Sequence, residues 1–174
     1  MRSFARGLER LLEWFLIFQM IALTAVVVYA VVMRKAGASQ IWYDEVASIQ
    51  LAWITYYGAA LAALKRKHIG FDGVLLGMAP RLRAPAIWVA EGFTIFFFAL
   101  MTWAGMEVLA VLEGMNLESL TWVPVQFTQS VIPVGGALFI IATILSFPDY
   151  FRETMADHSF EHPEVVVEPS ETRA

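Results

Sequence analysis

The chain of 174 residues contains no cysteine, and only 16% of its residues are charged. The lack of cysteine excludes disulfides, thiolate metal sites and thiol redox chemistry. The low charge separates the chain from soluble domains, in which about a quarter of the residues are charged. Histidine is also scarce, and the three that occur lie outside the apolar runs, so haem ligation within a helix bundle is not expected: His68, His158 and His162.

Apolar residues make up 59% of the chain, and its mean hydropathy is +0.62. They gather in four segments, at about 14–33, 46–64, 85–112 and 125–147. A helix needs about 20 such residues to cross the roughly 30 Å of hydrocarbon in a bilayer. We therefore predict an all-α integral membrane protein, in which residues 1–150 form one domain of four tilted transmembrane helices.

The first apolar segment has a signal peptide as its alternative interpretation. Three arginines precede it, and Ala36-Gly37-Ala38 resembles a small-residue cleavage site. The apolar core of a signal peptide has about 15 residues at most, so the length of this segment favours a membrane span.

Two further segments are predicted outside the spans. Between spans two and three, apolar residues recur at helical spacing over 69–80, and this stretch is too short to cross a bilayer. It predicts a short interfacial amphipathic helix. Beyond span four the chain becomes acidic and polar, which predicts a disordered cytoplasmic tail over 151–174.

The distribution of lysine and arginine predicts the orientation. The N-terminal flank, the loop between spans two and three, and the C-terminal flank together hold ten of these residues, whereas the other two loops hold only Arg34 and Lys35. Positive charge marks the cytoplasmic side of a membrane protein. We therefore expect an inner-membrane protein with both termini in the cytoplasm.

Two acids, Glu91 and Glu107, lie within span three. Their spacing puts them on nearly opposite faces of a helix, so they cannot form one site. Three roles stay open for them: a position near the membrane interface, a salt bridge to another subunit, or part of an ion pathway.

The stretch Trp42-Tyr43-Asp44-Glu45 precedes span two. Acids at a helix N-terminus stabilise the helix dipole, and aromatic rings favour the membrane interface. The alternative is that Trp42, Asp44 and Glu45 bind a basic patch on another subunit at the periplasmic face.

Small residues in spans two and four predict close helix packing, since helices in lipid approach closely only where side chains are small. The packing candidates in span two are the bulky Trp53 and the small Gly58 and Ala59 that follow it. Those in span four are Pro133 and the nearby Gly135. We also expect Pro133 to kink its helix and Pro85 to lie in the first turn of span three.

A basic turn follows span two and favours contacts with anionic lipid or with another subunit. His68 and Asp72 could pair across one helical turn, but a metal site would need more ligands. The residues concerned are Lys65, Arg66, Lys67, His68 and Asp72.

Taken in order, these motifs resemble the small membrane subunit, of the DctQ type, of TRAP (tripartite ATP-independent periplasmic) transporters. The resemblance rests on Trp42, Asp44-Glu45, Trp53, Gly58-Ala59-Ala60, His68, Asp72 and Pro133-Val134-Gly135, and it extends over about 11–150. Asp44 stands where the family pattern has a second glutamate.

The resemblance implies a scaffold subunit without enzymatic activity or cofactors. It implies two partners: a large membrane subunit that holds the substrate and sodium sites, and a periplasmic binding protein that delivers an organic acid. The alternative function is an autonomous membrane protein, either a homo-oligomeric channel or a membrane enzyme. That alternative requires polar residues that converge at membrane depth.

Overall fold

The computed structural model of the chain describes residues 2–38, 41–66 and 80–155. Over these ranges it contains five helices: α1 (Arg2–Lys35), α2 (Trp42–Leu64), α3 (Pro80–Val111), α4 (Val125–Gln129) and α5 (Val131–Met155). Four segments are long and apolar enough to cross a membrane, and α4 and α5 together form the fourth. The predicted all-α, four-span fold class is thereby confirmed.

Helix α1 extends well beyond the predicted apolar span. It begins at Arg2 and has 34 residues, which at 1.5 Å per residue makes it about 50 Å long. This is longer than the roughly 30 Å of hydrocarbon. The polar first turns of α1 therefore project past the membrane or run along its surface.

Helix α3 begins at Pro80, and the prediction that Pro85 would lie in its first turn is wrong. Pro85 lies inside the helix. Pro80 occupies the first position instead, where a missing N–H group costs nothing because the first four amides have no intrahelical acceptor. Apart from Pro80, the predicted interfacial helix at 69–80 lies outside the described residues.

Span four is interrupted at Ser130, between α4 and α5 and three residues before Pro133. Pro133 has no N–H group to donate to the carbonyl of Gln129, and this places the expected distortion near it. Backbone bonds continue around the break, from Ser130 N to Gln126 O (2.9 Å) and from Val134 N to Ser130 O (3.1 Å).

The fourth span continues further than predicted. Helix α5 includes Pro148 and ends at Met155, so 151–155 are helical and do not belong to a disordered tail. Apolar residues in this last stretch still find neighbours, as Phe147 and Phe151 do with ring centroids 5.8 Å apart. Residues 156–174 lie outside the described ranges.

The spans contact one another in the order α1, α2, α5, α3. Helix α5 is central, because it packs against both α2 and α3, while α1 packs mainly against α2. Within the four spans, 44% of the most apolar window is buried in the fourth, but only 6% in the first and third. The long apolar sides of α1 and α3 therefore face outward.

Close approach of α5 to its two neighbours depends on glycine. A Cβ atom added to Gly135 would lie 2.8 Å from Cβ of Tyr56 on α2, and one added to Gly136 would clash with Oγ1 of Thr102 on α3. Next to them, the rings of Phe98 and Phe139 stack with centroids 3.6 Å apart. Small residues thus bring the three helices together.

We expect replacement of Gly135 by alanine to destabilise the fold, because the added methyl group would force α2 and α5 apart. Overpacking of this kind costs about 1–3 kcal/mol. The matched control is Gly58→Ala, since a Cβ there meets nothing within 4 Å. Thermal unfolding in detergent measures the difference, and equal stability of the two variants would contradict the assigned packing.

Candidate functional site

The backbone of Arg66 adopts an unusual conformation just after the end of α2. Its φ angle is 51°, in the left-handed region that glycine usually occupies at a helix C-terminus. A residue with a side chain pays about 1–2 kcal/mol for this conformation. Hydrogen bonds from Lys65 N to Leu61 O (3.0 Å) and from Arg66 N to Ala63 O (3.2 Å) close the last turn.

The turn directs the Arg66 side chain inward, between α2, α3 and α5. Its Nε donates to Oγ of Ser146 (2.8 Å), one terminal nitrogen donates to the carbonyl of Thr143 (3.0 Å), and the other pairs with the Glu91 carboxylate. The guanidinium carbon lies 4.5 Å from the ring centroid of Tyr150. One cation therefore contacts two other helices.

Ser146 connects this cluster back to α2. It is only 8% exposed, and its Oγ lies 3.1 Å from the carbonyl oxygen of Ala63 and 3.2 Å from that of Thr143. The hydroxyl can thus accept from Arg66 and donate to a carbonyl at the same time. We call Arg66, Glu91, Thr143, Ser146 and Tyr150 the Arg66 cluster.

Glu91 pairs inside the chain, a role that the three sequence-based alternatives did not include. The side chains of Arg66 and Glu91 are 13% and 12% exposed, so both charges are largely removed from solvent. Glu107, in contrast, is exposed on α3. The two acids therefore have different environments, as their positions on opposite helix faces suggest.

Lys65 joins α2 to α1. Its Nζ bonds to the Glu13 carboxylate and lies 3.4 Å from that of Glu9. The bond to Glu13 raises the pKa of Lys65. The folded state therefore favours the charged form, and on the alkaline side the contribution of this pair to stability is lost as the pH rises through that raised pKa.

That Lys65 and Arg66 also contact lipid or another subunit stays a prediction. Their charged groups bind acids and carbonyls of this chain. The physical reason is that a turn at the end of α2 brings them back towards neighbouring helices. Lys67, His68 and Asp72, predicted for the same role, lie outside the described residues.

At the opposite end of α2, Glu45 binds the loop that follows α3. Its carboxylate accepts from the backbone amides of Ser119 (3.1 Å) and Glu118 (3.3 Å) and from the Ser119 hydroxyl. The loop also closes on itself through bonds from Leu117 N to Val123 O (3.1 Å) and from Val125 N to Met115 O (2.9 Å). Glu45 thus holds a folded loop against the helix.

Asp44 and Trp42 are not part of this contact. Asp44 is exposed and lines a cleft between α1 and α2. The Trp42 ring packs against Tyr43 and Tyr29, with centroids 4.9 and 6.0 Å apart. Tyr43 is the buried member of this group, at 1% exposed, and its hydroxyl donates to the carbonyl of Ala38 (3.2 Å).

The packing candidates also separate into two groups. Nε1 of Trp53 donates to the carbonyl of Thr128 (3.1 Å), and Ala59 packs against the small core around Phe139. Pro133 lies against Gly105 of α3, where an added Cβ would come within 3.0 Å of its ring. Gly58 alone faces open space.

The acceptors on span four were not identified from the sequence, although a signal was present. Thr143, Ser146 and Tyr150 are spaced i, i+3 and i+7, which puts three polar side chains on one face of an apolar helix. The sequence around Ser119 did not indicate its contact with Glu45, because the two residues are 74 positions apart.

The described residues form a multi-span membrane protein whose buried charged and hydrogen-bonded groups join its own helices. The family model for the DctQ component of tripartite ATP-independent periplasmic transporters matches residues 23–153. The chain belongs to this family, and it is therefore a small subunit of a TRAP transporter in the bacterial inner membrane. Comparison with curated protein sequences gives no match.

We expect Arg66→Met to destabilise the chain by about 3 kcal/mol, because Glu91 would then be buried without a counter-charge. Arg152→Met is the matched control, since Arg152 is an exposed base in the last turn of α5. Adding Glu91→Leu to Arg66→Met should recover part of the loss. Unfolding in detergent tests this, and a loss no larger than that of the control would argue against the cluster.

We expect Glu45→Gln to release the loop, because a neutral amide accepts hydrogen bonds more weakly than a carboxylate. Hydrogen exchange at the amides of Glu118 and Ser119 should accelerate about tenfold. Asp44→Asn, one residue earlier, is the control and should leave both amides protected. Unchanged exchange in Glu45→Gln would show that the loop is held in another way.

Proposed function

We propose that this chain is the scaffold subunit of its transporter: it supports the large membrane subunit during sodium-coupled uptake of an organic acid delivered by a periplasmic binding protein. Membership of the DctQ family supports the assembly. The scaffold role is carried by one observation, namely that the Arg66–Glu91 pair and four threonine hydroxyls in the span helices are bound by the chain itself.

The threonine hydroxyl groups in the span helices show how such polar groups are bound within the chain. Four threonines each donate to the backbone carbonyl four residues earlier, at 2.7–2.9 Å: Thr24, Thr55, Thr94 and Thr102. The largely buried ion pair of Glu91 is likewise satisfied by Arg66. A solute path would need polar groups that are open to the solute. These groups instead bond to their own helix or join neighbouring helices, which favours support over transport.

The arrangement of the spans supplies the surface for a partner. Because the spans contact in the order α1, α2, α5, α3, the apolar sides of the two outer helices are left uncovered by this chain. Gly58 lies in the interior of α2, with open space where a Cβ would be. We assign this position to the contact with the large subunit, since glycine permits close backbone approach in lipid.

We place both termini and the Arg66 cluster on the cytoplasmic side, following the excess of basic residues there. The loop held by Glu45 then faces the periplasm. It presents two exposed acids, Glu113 and Glu118, together with Trp122, which is 79% exposed. We assign periplasmic docking to this loop, so that Glu45 contributes by positioning it.

We expect Gly58→Leu to reduce co-purification of the large subunit severalfold, because the larger side chain would fill the space needed for backbone contact. The chain should still fold, since a Cβ at this position meets nothing within 4 Å. The matched control is Gly7→Leu, at a helical glycine with open space that precedes the apolar part of α1.

Undiminished co-purification would remove Gly58 from the interface. The scaffold role itself has a separate test, in which the chain is reconstituted alone in vesicles with a sodium gradient. Solute uptake under those conditions would overturn the proposal, whereas uptake that requires the large subunit supports it.

A further inference from the structure

A cleft of about 200 Å³ separates the end of α1 from the start of α2. Its walls are mostly aliphatic, and two charged side chains, Arg34 and Asp44, line it at the end where both helices meet their connecting loop. The residues lining the cleft are Val26, Val27, Ala30, Val31, Arg34, Tyr43, Asp44 and Ala47.

The two charges in this cleft are not used by the part of the chain that the structure describes. Both side chains are exposed, and neither forms an ion pair or a side-chain hydrogen bond with another described residue. Lys65, Arg66, Glu13, Glu45 and Glu91, in contrast, all have partners. Arg34 and Asp44 thus offer a cation and an anion within one cleft, at the ends of the two helices.

The shape of the cleft follows from its residues. Ala30 and Ala47 leave space between the two helices, and the buried Tyr43 is part of the lining. Val26 lies eight residues from Arg34, which is about 12 Å along the helix. The polar end therefore continues into an apolar channel directed towards the bilayer core, and Val27 and Val31, 46% and 50% exposed, keep it open to lipid.

We infer that this cleft binds phosphatidylethanolamine, with the phosphate on Arg34, the primary ammonium on Asp44 and an acyl chain along the aliphatic wall. This phospholipid carries both charges that the cleft complements. An arginine pairs with two phosphate oxygens through its forked N–H groups. A carboxylate accepts hydrogen bonds from a primary ammonium, which a quaternary ammonium cannot donate.

Asp44 therefore has a different function from Glu45, although they are adjacent. Glu45 faces the loop after α3, and its carboxylate accepts a hydrogen bond there. Asp44 instead faces α1 across the cleft. A bound lipid would fill the space between α1 and α2 at this end and hold α1, which packs mainly against α2. The inference does not depend on the scaffold role or on the orientation of the chain.

Native mass spectrometry of the purified transporter complex tests the inference, after delipidation and titration with phosphatidylethanolamine, phosphatidylcholine or phosphatidylglycerol. We expect one phosphatidylethanolamine to be retained about tenfold more tightly than the other two. Asp44→Ala should abolish its preference over phosphatidylcholine, and Arg34→Ala should weaken binding of all three lipids. Lys35→Ala and Glu113→Ala are the charge-matched controls, since both residues are exposed and lie outside the cleft.

Ala30→Phe provides a test that changes no charge. The ring would fill the cleft, so retention of the lipid should be lost while the complex stays assembled. Equal retention of the three lipids by the wild type would mean that only annular lipid is present, and it would overturn the inference. Preference for phosphatidylglycerol that is unaffected by Asp44→Ala would overturn it as well, because Arg34 would then act alone.

Discussion

The inward placement of Arg66 is the constraint on which the packing of three spans depends. Helices in lipid gain little from the hydrophobic effect when they associate, so their contacts rely on close packing and on polar bonds. Arg66 supplies such bonds from the end of α2 to Glu91 on α3 and to Thr143 and Ser146 on α5. Its left-handed backbone is stable because these contacts hold the side chain in one place.

Helix α5 completes this arrangement by bringing its neighbours within reach of the cluster. Gly135 and Gly136 admit Tyr56 from one side and Thr102 from the other. The Arg66 cluster and the glycine pair therefore join the same three helices at two places along α5.

The two ends of the molecule use the same chemistry for different purposes. At one end a buried pair of opposite charges joins helices, and at the other the Glu45 carboxylate fixes a loop through backbone amides. In the proposed scaffold, the first contact gives a rigid body within the membrane and the second presents a shaped surface outside it. Rigidity of this kind suits the proposed role as a scaffold.

The sequence by itself determined the class of the protein, because apolar length decides whether a helix crosses the bilayer and because short motifs in a fixed order indicate the DctQ family. It also indicated that Gly135 permits close packing, although the structure decides which glycine is used, since Gly58 meets nothing within the chain. The tertiary structure decided how the charges are used. Arg66 and Glu91 are 25 residues apart, and Glu45 and Ser119 are 74 apart. Such partners depend on which helices become neighbours, which the local pattern around each residue does not contain.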